Sequence, residues 1–259
     1  MILIGIHLTT VLQLWALLTV AFMSDSIRLA KRVAELFNCS RGEAILYIEG
    51  AGVTVDGVVV EEPGFRVTGQ EQIALLPGTD LTPIEDVTIL LHKPASMPVG
   101  KVNELIVADS LAAEDRSGLR FLKRHLKELV MLDPLENDAS GLLVFTQDWR
   151  VKRKLIDDLS RVEQEFVVEV SGQMVEGGLQ LLNQSINFNG KPSAPAKVSW
   201  QNETRLRFAR KELSSRLITL LCGRVGLSVV SIKRIRIGRI PMAGLAVGQW
   251  RYLLEHERF

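Results

Sequence analysis

The chain has 259 residues, of which 47% are hydrophobic and 24% charged, with a formal net charge of +1. This is the mix of a folded protein of one large or two modest domains, and it excludes a disordered tail, a collagen-like fibre and a disulfide scaffold. Cys39 and Cys222 stand far apart without a CxxC pattern, and His7, His92, His125 and His256 lack metal-pair spacing, so no structural zinc or metallo-hydrolase is expected. The sequence also lacks a GxGxxG turn, a Walker loop and a GxSxG elbow.

Residues 2–22 carry no Lys, Arg, Asp or Glu, a run long enough to span a bilayer. It has no basic n-region, and Thr9, Thr10, Gln13 and Thr19 interrupt it. Met23-Ser24-Asp25 reads as a natural start, so residues 1–22 are taken as an apolar extension rather than a working anchor. Asp25 or Ser26 is expected to cap a helix bearing Ile27, Leu29, Val33, Ala34 and Phe37, with Arg28, Lys31 and Arg32 on one face. Ser40 is expected to cap a second helix, ending at Gly50 and Gly52. Residues 53–60 read as a hairpin turning at Asp56-Gly57, and Pro63-Gly64 as a further turn. Pro77, Gly78 and Pro83 form a linker between a domain at 24–78 and another at 86–256.

In the second domain, strands are expected at 87–92, 142–146, 162–170, 197–200, 206–208 and 229–237. Helices are expected at 121–130, 151–159, 174–182 and 216–224. Short helices among antiparallel strands make the class α+β: a helix–helix–hairpin module followed by a mainly antiparallel sheet domain. Charge is concentrated late in the chain. Between Arg205 and Arg239 lie ten basic residues and one acid, Glu212, which gives the segment +9. Such a concentration is the footprint of a polyanion site, with a solvated basic face as the plainer explanation.

Arg28-Leu29, Lys31, Ser40-Arg41-Gly42-Glu43-Ala44 and the run from Ile48 to Gly57 resemble the small RNA-binding module named after the fourth small-subunit ribosomal protein. The resemblance implies that Arg28, Lys31, Arg32, Ser40 and Arg41 meet RNA phosphates, a role suited to cations and a helix N-terminus. Three further stretches resemble the RNA pseudouridine synthases of the RsuA/RluF type. These are His92-Lys93-Pro94-Ala95, the run from Pro134 to Leu142 with Thr146-Gln147-Asp148, and Val229 to Arg251. The resemblance implies isomerisation of uridine to pseudouridine in structured RNA, with ribosomal RNA the expected class, and neither cofactor nor metal.

That chemistry needs a carboxylate at the ribose–base linkage, an aromatic under the flipped base and a cation that keeps the carboxylate ionised. The catalytic position falls on Glu136, five residues before Gly141, where the family pattern has Asp; Asp133 is three residues out of register. The Lys-x-Tyr strand becomes Gln164-Glu165-Phe166, which leaves Phe166 as the aromatic. Thr219 stands at the cation's place, and Arg216, three residues earlier, is expected to reach in instead. Lys93, Lys233, Arg234 and Arg236 are expected to extend the RNA cradle. The competing reading is an inactive relative serving as an RNA-binding or ribosome-assembly protein. A membrane-anchored RNA binder follows only if residues 1–22 are a working part. A monomer in the cytoplasm is the expected state.

Overall fold

The computed structural model describes residues 26–188, 191–193 and 195–259. The expected apolar extension at 1–22 and the cap at Asp25 lie outside them. The chain forms two units, one running to Glu85 and taking in Leu122–Lys127, the other comprising Asp86–Phe121 and Glu128–Phe259.

The first unit is built from β1 (Ile27–Arg28), α1 (Leu29–Leu36), α2 (Arg41–Glu49), β2 (Val53–Val55), β3 (Val58–Val59), β4 (Arg66–Val67) and β5 (Ile73–Leu75). Ser40 caps α2 by a capping box: its hydroxyl accepts from the Glu43 amide at 3.2 Å, and the Glu43 carboxylate accepts from the Ser40 amide at 2.7 Å. The hairpin of β2 and β3 turns where expected, with positive φ at Asp56 and Gly57. Leu29, Val33, Ala44, Ile48, Val53 and Val67 close one small core. The first helix differs from expectation at its start, where Arg28 is the N-cap and makes no side-chain cap bond.

The second unit is organised by one sheet. Its strands are β6 (Thr88–Lys93), β7 (Val130–Leu132), β8 (Ser140–Thr146), β9 (Glu163–Gly172), and β12 (Lys197–Trp200) to β16 (Trp250–Tyr252), with β13 (Arg205–Lys211), β14 (Leu227–Ile237) and β15 (Ile240–Pro241) between the last two. A separate hairpin pairs β10 (Ile186–Phe188) with β11 (Lys191–Ser193). The order across the sheet is β12-β13-β9-β14-β8-β6-β16, with β7 on β8 and β15 on β14. All of these pairings are antiparallel except β14 with β8.

Alternation along the strands divides two cores. Leu143 and Phe145 of β8 face one cluster with Phe166, Val168, Leu206 and Phe208, while Leu142 and Val144 face the other with Leu90 and Leu155. Three helices accompany the sheet: α3 (Trp149–Ile156), α4 (Gly178–Leu182) and α5 (Ser215–Arg224). Leu217, Ile218 and Leu221 of α5 lie in the first cluster, and Leu155 of α3 lies in the second.

Two helical expectations are corrected. Residues 121–130 form only a short 3-10 turn at Lys123–Leu126, followed by β7, because Glu128 takes a positive φ that ends any helix. Residues 174–182 are helical only from Gly178, since Gly177 takes a φ of 71°.

Where β14 meets β8, Gly141 takes a φ of 110°, and a Cβ there would lie 2.2 Å from the Arg234 carbonyl oxygen and 2.6 Å from its amide nitrogen. Only glycine permits both the backbone conformation and the approach. Gly141→Ala should therefore destabilise the protein by about 3 kcal/mol or more, a fall in Tm of roughly 6–12 °C, measured by thermal unfolding.

Candidate active site and nucleic-acid cleft

The loop between β7 and β8, residues 133–139, carries Glu136. Four side chains tie it down. Arg234, 1% exposed, donates from Nη1 to the Asp133 carboxylate at 2.6 Å and from Nη2 to the Asp133 carbonyl at 2.8 Å, and its Nε donates to the Leu142 carbonyl at 2.8 Å. Gln164 adds a bond from Nε2 to the same Asp133 carboxylate at 2.7 Å. Lys93, 0% exposed, donates from Nζ to the carbonyls of Asn137 at 2.8 Å and Ala139 at 2.7 Å, with a weaker bond to Pro94 at 3.1 Å. The Asn137 side chain accepts from the Val99 amide at 3.1 Å. Burial lowers the Lys93 pKa, opposed by the nearby charge of Asp138.

Leu135 and Ala139 anchor the loop in the core cluster while Glu136 between them stays exposed. Among the described residues, no cation lies within 4 Å of its carboxylate. Its charge is felt by Arg234, whose own charge burial disfavours while Asp133, and then Glu136, favour it. Arg216 is exposed on the first turn of α5 and forms no ion pair with Glu136; Thr219 turns its hydroxyl to the Ser215 carbonyl at 3.0 Å. The expectation that Arg216 substitutes for the cation is therefore corrected: among the described residues Arg216 forms no ion pair, and the buried guanidinium of the neighbouring strand, Arg234, is committed to Asp133.

Phe166 is 1% exposed and belongs to the cluster that contains Leu135. It offers no open ring face, and the expected stacking platform is instead an apolar floor. The cradle expected from Lys93, Arg234 and Arg236 is corrected in the same sense. Lys93 and Arg234 are interior, and Arg236 pairs with Glu163 and Glu165 at 2.5 and 2.7 Å. Arg207 also pairs with Glu165 at 2.7 Å, and Arg205 with Glu169 at 3.6 Å. The Arg236 and Arg207 guanidiniums hold the Glu165 carboxyl below its ordinary pKa against the opposing pull of burial. Lys233, half-buried, keeps no carboxylate partner among the described residues.

In the first unit, Ser26, Ile27, Arg28, Lys31, Arg41 and Arg66 line an open cleft of about 290 Å³. Arg28, Lys31, Arg41 and Arg66 give it four cations and no acid. Lys31 has only a loose contact with Glu35 at 3.9 Å, and Arg66 donates to the Ser26 carbonyl at 2.8 Å. Arg28, Lys31 and Arg41 are thus brought together as expected. Arg32 lies outside the lining and contacts Glu35 at 3.8 Å, and Ser40 serves the capping box. Arg66 was missed because its position in a short strand, forty residues away, has no local signal.

The buried pair makes a test of the loop. Asp133→Ala leaves Arg234 charged and sealed, which should cost about 3–5 kcal/mol, measured by denaturant unfolding. Combining it with Arg234→Met should recover part of that loss.

Residues 27–73 match the S4 domain family model. The chain is 27% identical over 237 residues to an uncharacterised RNA pseudouridine synthase of Aquifex aeolicus, covering 89% of this chain and 94% of that protein. It is 28% identical over 240 residues to ribosomal large subunit pseudouridine synthase B of Bacillus subtilis, with 89% and 93% covered. To the dual-specificity RNA pseudouridine synthase RluF of Escherichia coli it is 24% identical over 234 residues, with 90% and 77% covered. A crystal structure of a pseudouridylate synthase shares the fold, with a TM-score of 0.55 at 19% identity over 89% of this chain and 97% of that one. A likeness that runs through both units in one order makes this protein a homologue of the RsuA/RluF-type pseudouridine synthases that carry an N-terminal S4 domain.

Proposed function

We propose that the protein is an RNA pseudouridine synthase, with Glu136 as the carboxylate that acts at the ribose–base linkage. The observation that carries this reading is the loop itself: Lys93, Asn137 and Arg234 rigidify it, and it presents Glu136 exposed at the motif position between the buried Leu135 and Ala139. Conversion of uridine to pseudouridine breaks the N1–C1′ bond and forms C5–C1′; the C5 proton is lost and N1 gains one. The exchange is redox-neutral, so a carboxylate nucleophile or base suffices. Among the described residues, no cluster of His, Cys, Asp and Glu could hold a metal ion.

The partner in this reading is RNA, and we take ribosomal RNA as its class, since the Bacillus subtilis relative is named for the ribosomal large subunit. Action as a monomer in the cytoplasm belongs to the same proposal. Among the described residues, no helix is long and apolar enough to cross a membrane. The four-cation cleft of the first unit is the proposed phosphate contact, because its charges face one open space without acids.

A second reading, an RNA binder without chemistry, is favoured by one observation: Glu136 has no cation within ion-pair distance among the described residues. Longer reach by one C–C bond also matters, since a misplacement of about 1 Å can cost about 10²-fold in rate. A single-turnover assay on ribosomal RNA transcripts separates the two. Wild type should form pseudouridine; Glu136→Gln should reduce it to background while RNA affinity stays within about twofold. Tight binding by wild type with no pseudouridine at any uridine favours the second reading.

Neutralising Arg28, Lys31 and Arg41 together should weaken RNA binding and flatten its log–log salt dependence by roughly 3. An unchanged slope in a salt titration removes the cleft from the interface.

A further inference from the structure

Arg210 is a buried cation that the fold leaves unneutralised. It is 4% exposed, its Nε is sealed without an acceptor, and among the described residues its guanidinium forms no ion pair. Arg234, the other deeply buried arginine, has each of its three nitrogens bonded to protein oxygens. Burial lowers the Arg210 pKa, and only the exposed Glu212 opposes this. A buried charge without a partner is among the costlier features a fold can keep.

Its position says what is missing. Leu206, Phe208 and Arg210 alternate onto one face of β13. Leu206 and Phe208 lie in the same core cluster as Leu217, Ile218 and Leu221 of α5. Arg210 is the last of the three, at the end where the chain turns through the buried Leu213 into the first turn of α5. There Ser215 is 5% exposed, and its hydroxyl is also sealed without a partner. The Ser214 hydroxyl accepts only from the Leu217 amide, at 3.2 Å, and helix geometry leaves the first amides of α5 without an intrahelical acceptor. Arg216 and Lys211 stand exposed beside them. The junction thus offers a guanidinium, a hydroxyl and the amide end of a ten-residue helix. A set rich in donors and poor in acceptors is complementary to an anion.

We propose that Arg210, Ser215 and the first turn of α5 form an anion site that receives one phosphate of the RNA backbone. This rests on the reading of RNA as substrate. Cross-strand pairing puts Arg210 opposite Gln164, and Gln164 bonds Asp133 of the Glu136 loop, so a phosphate held here would register the strand against that loop. The site is carried by this chain's own residues and is separate from the cleft of the first unit.

The test uses the full chain and a ribosomal RNA transcript. Arg210→Met keeps the apolar stem and breaks no ion pair, so its Tm should equal or exceed that of wild type. Its RNA affinity near 0.1 M salt should fall roughly tenfold, and the log–log salt slope should flatten by about 0.9, one phosphate's share. Ser215→Ala should weaken binding by roughly threefold in the same assay. Should the Met variant unfold, Arg210→Lys replaces it, with the slope retained and affinity lowered. A salt slope in Arg210→Met equal to that of wild type overturns the site. So does slower turnover at unchanged slope, which would show the guanidinium serving Glu136 instead. Pseudouridine formation is followed in parallel. A flattened slope in a protein that forms no pseudouridine upholds the anion site and removes the enzyme reading; active wild type with unaltered slope in the variant does the reverse.

Discussion

The bidentate hold of Arg234 on Asp133 is the contact around which the second unit is arranged. Arg234 sits on β14, in parallel register with Gly141 of β8 and antiparallel register with Phe166 of β9. Its guanidinium reaches past the glycine to the Asp133 side chain and carbonyl and to the Leu142 carbonyl. A buried cation of this kind adds little net stability over an apolar core, because desolvation offsets the attraction. What it does impose is geometry. Each donor finds an acceptor only when β7, β8 and β14 stand in one register, so the loop between β7 and β8 has one arrangement. Asp133 itself takes a φ of 46°, a conformation that the two bonds from Arg234 hold in place.

Lys93 completes the restraint from the opposite side. Its ammonium lies under the carbonyls of Asn137 and Ala139, so Glu136 is tied through its neighbours rather than through its own side chain. A carboxylate presented in this way remains available to a substrate, and the loop need not reorganise to use it. Preorganisation is thus supplied by two interior cations, and neither has to touch the RNA.

The basic segment from Arg205 to Arg239 shows how charge is redistributed by pairing. On the sequence it is nearly free of acids. In the sheet, β9 lies between β13 and β14 and brings Glu163, Glu165 and Glu169 against Arg207, Arg236 and Arg205. Asp133 takes Arg234. Four of the segment's ten cations, Arg205, Arg207, Arg234 and Arg236, are therefore spent within the protein. The cations left without carboxylates among the described residues include Arg210, buried with its Nε sealed, and Arg216, exposed, near the junction of β13 and α5. The proposed attraction to RNA rests on such unpaired cations and on the cleft around Arg28 and Arg41.

Local sequence determined a good deal by itself. The Ser40 cap, the Asp56-Gly57 turn and the strands at β6, β8 and β9 all depend on neighbours a few residues apart, and each stands as read. Glu136 was singled out by its register, five residues before Gly141, while its exposure between the buried Leu135 and Ala139 came from the structure. The shortened helices at 121–130 and 174–182 were not, since backbone conformations at Glu128 and Gly177 overrode apolar spacing. Which cation meets which anion was decided by the tertiary structure alone. Arg234 and Asp133 are 101 residues apart, Arg236 and Glu163 are 73, and neither distance leaves a trace in composition or spacing. Strand order and register set those pairs, and in doing so they determined that Arg234 and Phe166 are interior and that Arg210 is buried without an ion pair among the described residues.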